Sequence, residues 1–148
     1  MTGWRIGWIS APPEIGHVLE NLVQYSTSGV PEFSQRAACA ALRQGEDFIQ
    51  LQRQRARLNR DVVCQGLITT GKVQLAIPQG AFYLFFKVDG YRNSRQLAFD
   101  LVEEAGVGLA PGAGFYSSDP SFLRLCYLRD PDQIEQAVER LVSWINRR

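Results

Sequence analysis

Ala81-Phe82-Tyr83-Leu84-Phe85-Phe86-Lys87-Val88 is the stretch on which the fold turns. It is apolar on nearly both faces of an extended strand, the pattern of a strand at the centre of a sheet. Just before it, Val73, Leu75 and Ile77 alternate up to Pro78, and Pro78-Gln79-Gly80 supplies the turn between the two strands. After it, Asp89-Gly90 marks the next turn. Ser94 is placed to cap a helix with core positions Leu97, Ala98, Leu101 and Val102, which Gly106 stops. Two short strands follow, near residues 107–110 and 122–127, separated by Pro111-Gly112-Ala113-Gly114 and Ser117-Ser118-Asp119-Pro120. Asp130, Pro131 and Gln133 have the form of a capping box, opening a last helix with the stripe Ile134, Ala137, Val138, Leu141 and Ile145. Strands and helices in this order predict an α+β unit.

Upstream, residues 46–67 read as one long helix. Phe48, Leu51, Leu58 and Val62 form its apolar stripe, with Arg55 inside it, while Arg53, Arg57 and Arg60 share a different face. That arginine face reads as solvated surface, because glutamines interleave it and no nucleic-acid-binding module accompanies it. Before it, Pro31 opens a helix holding Ala37, Ala38, Ala40 and Ala41, with Gly45 placed to end it; the small side chains predict close packing. Ile15, Val18, Leu19 and Leu22 follow helical spacing over residues 14–25, after Pro12 and Pro13. Residues 1–11 alternate, Trp4, Ile6 and Trp8 against Arg5 and Gly7, which predicts a strand.

With 148 residues, 45% hydrophobic and 21% charged, the chain suits one moderate core and excludes disordered, collagen-like and coiled-coil classes. Sixteen basic against fifteen acidic residues give a net charge of +1, so no global field draws it to nucleic acid or an anionic membrane. The longest apolar run, residues 81–86, falls far short of the roughly 20 residues of a membrane-spanning helix, and the first residues lack a signal-peptide layout. Cys39, Cys64 and Cys126, an odd number at wide spacings, suit reduced thiols in a cytoplasmic protein. The one histidine, His17, shares the polar face of its helix with Asn21 and Gln24; neither a metal site nor a Ser-His or Cys-His unit is expected.

Three motifs carry chemistry. The first is Met1-Thr2-Gly3-Trp4-Arg5-Ile6-Gly7-Trp8, where glycines on both sides of Arg5 let backbone approach a ligand. The second is Pro111-Gly112-Ala113-Gly114-Phe115 followed by Phe122-Leu123-Arg124-Leu125-Cys126-Tyr127. Here Arg124 sits in an otherwise apolar strand, and a buried guanidinium needs either a protein carboxylate or an anionic ligand. No acidic residue lies within four positions of it. The third is Pro78-Gln79-Gly80-Ala81-Phe82-Tyr83, whose aromatics read as core in most sheets.

Together, in order and spacing, these motifs resemble the C-terminal part of the class I/II aminotransferases, fold type I enzymes dependent on pyridoxal 5'-phosphate (PLP) and similar to aspartate aminotransferase. The resemblance implies that residues 1–44 are the tail of the large α/β PLP-binding domain, and residues 45–148 the connecting helix and small α+β domain. It implies that Arg5 contacts the cofactor phosphate, through paired hydrogen bonds that lysine cannot reproduce. Arg124 would grip the substrate α-carboxylate, with Gly80 and Phe82 facing the substrate pocket. One departure is Tyr116, where many relatives have glycine after the phenylalanine matched by Phe115.

The implied reaction is amino transfer between an L-amino acid and a 2-oxo acid, in a cytoplasmic homodimer. In the family's pattern the Schiff-base lysine lies eight residues before the arginine matched by Arg5, four positions before Met1. No catalytic residue is therefore assigned within the chain, which is expected to be inactive alone. Other fold type I enzymes, such as C-S lyases and cyclopropane-forming synthases, share these motifs, and a non-catalytic dimerisation or binding module is a further alternative.

Overall fold

The computed structural model describes residues 1–115 and 119–148; Tyr116, Ser117 and Ser118, which include the departure and part of the loop noted above, lie outside the described residues. The chain forms two compact units, Met1–Gln50 and Leu51–Arg148. The first contains α1 (Gly16–Ser26), α2 (Glu32–Gln44) and the first turn of α3 (Glu46–Ile68). Pro31 stands at the N-cap of α2, and Gly45 at its C-cap donates its amide to the Ala41 carbonyl.

The strand expected over residues 1–11 is not formed. Thr2–Trp4 make a 3-10 turn, closed by the Trp4 amide on the Met1 carbonyl at 3.1 Å, and Trp4 and Trp8 are exposed. Alternation alone does not hold a strand, because its amides and carbonyls need a neighbouring strand, and none of the four strands belongs to this unit.

The second unit is α+β. Its four strands, β1 (Val73–Leu75), β2 (Tyr83–Val88), β3 (Ala110–Pro111) and β4 (Leu123–Cys126), form an antiparallel sheet in the order β1-β2-β4-β3. β2 is central as expected, paired to β1 through Leu75 opposite Phe86, and to β4 through Phe85 opposite Arg124. Its two faces are not equivalent, however. Leu84, Phe86 and Val88 are buried with Leu123 and Leu125 of β4, in one core with Val63 and Leu67 of α3. Leu97 and Leu101 of α4 (Ser94–Ala105) join that core, as do Ile134, Leu141, Trp144 and Ile145 of α5 (Pro131–Asn146). Tyr83, Phe85, Lys87 and Arg124 occupy the other face, each only partly buried.

Three local expectations are corrected. The cap of α4 is Asn93, whose Oδ1 accepts from the Arg95 and Gln96 amides, while Ser94 is the first helical residue and buried. Val102 of the same helix is exposed. On α3 the expected stripe Phe48, Leu51, Leu58 and Val62 is exposed, and the buried stripe is Asn59, Val63, Cys64 and Leu67. Buried Asn59 is satisfied because its amide donates to the Tyr127 carbonyl at 2.8 Å and the Arg129 carbonyl at 2.9 Å. Gly106 does end α4, in the left-handed conformation at φ 65°, with the Val107 amide returning to Leu101.

Candidate functional site

β4 alternates Leu123 and Leu125 into the core with Arg124 and Cys126 on the other face, so pairing against β2 sets Arg124 directly across from Phe85. The Arg124 guanidinium carbon lies 3.7 Å from the Phe115 ring centroid and 4.3 Å from that of Tyr83. Phe85 meets Phe115 edge to face at 6.4 Å. Rings over a guanidinium fix its plane and satisfy part of its charge while leaving its N–H edges for in-plane acceptors. Among the described residues no carboxylate pairs with Arg124.

Beside the cage opens a cleft of about 770 Å³, which Phe122, Lys87 and Asp119 also border. The Lys87 ammonium stands 3.4 Å from Asp119 Oδ2 and 5.4 Å from the Phe122 ring centroid. Asp119 is held below the usual carboxylate range, first by the Ser121 hydroxyl, then by the Ser121 amide and Lys87. The cleft thus offers an aromatic wall, a neutralised ion pair and one guanidinium that has no carboxylate partner among the described residues. The loop after β3 is shaped for this arrangement. Gly112 donates its amide to the Phe122 carbonyl at 2.6 Å, and a Cβ at Gly112 would collide with that same carbonyl.

Arg5 lies in the first unit, in a cleft of about 670 Å³ bordered by Gly3, Trp4, Thr27 and Ser34. Its backbone is left-handed at φ 51°, a conformation that costs a non-glycine residue energy and is concentrated at functional positions. Gly80 and Phe82 are not brought to Arg124. Gly80 borders a separate cleft against α3, and its carbonyl accepts from the Tyr127 hydroxyl at 3.4 Å. Phe82 packs against the core and touches Tyr83, ring centroids 4.5 Å apart. Of the cage residues, Tyr83 and Phe115 stand in motifs already legible in the sequence, whereas Phe85 is not singled out by the sequence. Strand alternation around buried Leu84 and Phe86 is the signal that places Tyr83 and Phe85 on one face.

The remaining reactive groups lie elsewhere. Lys72 donates to the Ile145 and Asn146 carbonyls at the end of α5, at 3.4 and 3.5 Å. His17 is exposed, and the three cysteines are free, with burial pushing the Cys64 thiol up. Among the described residues no group of three metal-ligating side chains converges, and no helix is long and apolar enough to cross a membrane.

The sequence pattern of the family "Aminotransferase class I and II" matches residues 1–141. The chain is 36% identical over 148 residues to an LL-diaminopimelate aminotransferase of Nitratidesulfovibrio vulgaris, covering 97% of this chain and 37% of that protein. It is 34% identical over 154 residues to an aspartate aminotransferase of Geobacillus stearothermophilus, covering 100% of this chain and 39% of that one. A solved aminotransferase from Mycobacterium tuberculosis superimposes with a TM-score of 0.89 at 30% identity, over 100% of this chain and 39% of its own. An aromatic aminotransferase from Pyrococcus horikoshii gives 0.88 at 27% identity, over 99% and 40%. The chain therefore spans about two fifths of the length of these relatives. Over that span, pattern, identity and fold agree: it belongs to the class I and II aminotransferase family.

Proposed function

We propose that these 148 residues are the C-terminal part of a PLP-dependent aminotransferase in which Arg124 holds the α-carboxylate common to an L-amino acid and a 2-oxo acid. The observation that carries this reading is the Arg124 guanidinium, caged by Tyr83 and Phe115 at the edge of a cleft and without a carboxylate among the described residues. A carboxylate in the plane of a guanidinium takes two parallel hydrogen bonds, which fixes the orientation of the attached Cα as well as its position.

The donor set around Arg5 suits the cofactor's phosphate: a guanidinium with the hydroxyl-bearing Thr27 and Ser34 on the same cleft. When bound, PLP supplies the electron sink for deprotonation at Cα. The covalent anchor is a different matter. The chain has two lysines, and neither belongs to the unit of Arg5. Lys72 is bound to helix carbonyls and Lys87 to Asp119, so neither sits in the desolvated setting that makes a lysine a nucleophile. The anchor belongs to a part of the family fold outside these residues, and turnover by them alone is not expected. A homodimer in the cytoplasm completes the reading, the compartment resting on the three free thiols.

Arginine side-chain NMR of the chain tests it, during titration with L-aspartate, L-phenylalanine and pyruvate. A saturable shift at Arg124 that disappears with an amino alcohol lacking the carboxylate is expected; silence with every carboxylate would overturn the assignment. Borohydride reduction with PLP followed by mass measurement should give no stoichiometric adduct at Lys72 or Lys87, and finding one would overturn the account of the anchor.

A further inference from the structure

The strongest feature that the proposed function leaves unused lies on α3. Arg53, Arg57 and Arg60 follow one another at i, i+4 and i+7, one stripe of the helix, and border a cleft of about 270 Å³ whose opposite wall is residues 78–81. Only Arg60 is committed: it pairs with Asp61 at 2.7 Å and donates to the Pro78 carbonyl at 3.2 Å. Arg53 and Arg57 have no ion pair or side-chain hydrogen bond among the described residues. Two unneutralised like charges at i, i+4 weaken a helix, and an anion between them reverses that cost.

The opposite wall is held in place, and among the described residues its backbone amides are uncommitted. The Tyr127 hydroxyl donates to the Ala81 carbonyl at 3.2 Å, and Ala81 is left-handed at φ 58°. The amides of Gln79, Gly80 and Ala81 donate to no backbone carbonyl among the described residues. Successive free amides at a left-handed turn are a recurrent element of anion sites, and guanidinium pairs are the matching side-chain element.

We infer that this cleft binds a small phosphate group, held between Arg53 and Arg57 of α3 and the 78–81 turn, separate from the Arg124 cleft. A tetrahedral dianion matches two uncommitted guanidinium charges and several amide donors better than a planar monoanionic carboxylate does. The cleft volume admits inorganic phosphate or the phosphate end of a small ester.

The test is an NMR titration of the whole 148-residue chain at constant ionic strength, with inorganic phosphate, glycerol 3-phosphate and, as controls, acetate and chloride. Saturable shifts at the Arg53 and Arg57 side chains and at the Gly80 and Ala81 amides are expected with both phosphates, and tighter binding of glycerol 3-phosphate would identify an ester as the occupant. The double variant Arg53→Gln/Arg57→Gln should bind at least about tenfold more weakly, since two charge-assisted hydrogen-bond donors are lost. Arg53→Lys/Arg57→Lys keeps the charge without the fork and should fall between. Both pairs are exposed, so folding is checked by an unchanged amide spectrum elsewhere. Absence of saturation, equal shifts with acetate or chloride, or full binding by the glutamine variant would overturn the site.

Discussion

Arg124 separates two physical situations that look alike in a sequence. A guanidinium buried against a protein carboxylate leaves that carboxylate uncompensated when it is removed, at a cost of about 3 to 5 kcal/mol. Arg124 instead rests between two rings, and loss of such contacts costs about 0.5 to 2 kcal/mol. Arg124→Leu should therefore shift the urea midpoint only slightly while abolishing the carboxylate-dependent shift at the cleft. A midpoint loss on the scale of a broken buried pair would show Arg124 to be structural. The sequence already pointed to this residue, because an arginine between Leu123 and Leu125 is conspicuous without any knowledge of its neighbours. The aromatic cage was less accessible. Phe115 reaches Arg124 from a loop, and a loop side chain obeys no period that a sequence displays.

At the scale of elements, α4 and α5 are joined by a polar latch at their C-terminal ends. Glu104 Oε2 accepts from the Trp144 indole at 2.8 Å and from Arg148. These hydrogen bonds, Trp144 first, hold the Glu104 carboxyl below the usual range. A carboxylate whose folded pKa lies below its unfolded value adds stability that is fully present above the unfolded value, about 4.3 for glutamate, and is lost as pH falls through the folded one. Urea midpoints measured from neutral pH into the acid range should fall in that window. Glu104→Gln should show a shallower fall, and an identical acid limb in the variant would remove Glu104 from the latch.

The same scale shows which elements were readable. Gly106 and the α5 stripe follow from local pattern, since the left-handed stop and the 3.6-residue period are set within the element. On α3 two stripes compete, and the one that is buried contains Asn59, a choice decided by the carbonyls of Tyr127 and Arg129 far along the chain. The Asn93 cap was missed for a milder reason: Asn93 and Ser94 are both good caps, and one residue of register decides between them.

The two units differ in how they meet water. Among the described residues, the second keeps 18 buried hydrophobic residues in one core, whereas in the first the single buried side chain is Ser34. Trp8 is 75% exposed, and Ile9, Phe33 and Leu42 are each more than two-thirds exposed. Monomeric proteins rarely display apolar surface on this scale, and where they do it marks an interface or drives association. Of the four alanines expected to pack α2 closely, Ala37, Ala38 and Ala41 are only half-buried and Ala40 is exposed, which adds to the uncovered surface. The chain should therefore self-associate through residues 1–50 at low micromolar concentration, with the second unit remaining folded whether or not association occurs. Light scattering and quenching of tryptophan fluorescence test this together, because Trp4 and Trp8 are exposed while the third tryptophan, Trp144, is buried at 1% exposure. Association should protect the two N-terminal tryptophans from quencher as concentration rises and leave Trp144 protected throughout. Hydrogen exchange should mirror this, slow across β2, β4 and α5 at every concentration and slowing in α1 and α2 only as the chains associate. A clean monomer with freely quenched N-terminal tryptophans would place these apolar side chains in water and refute the prediction.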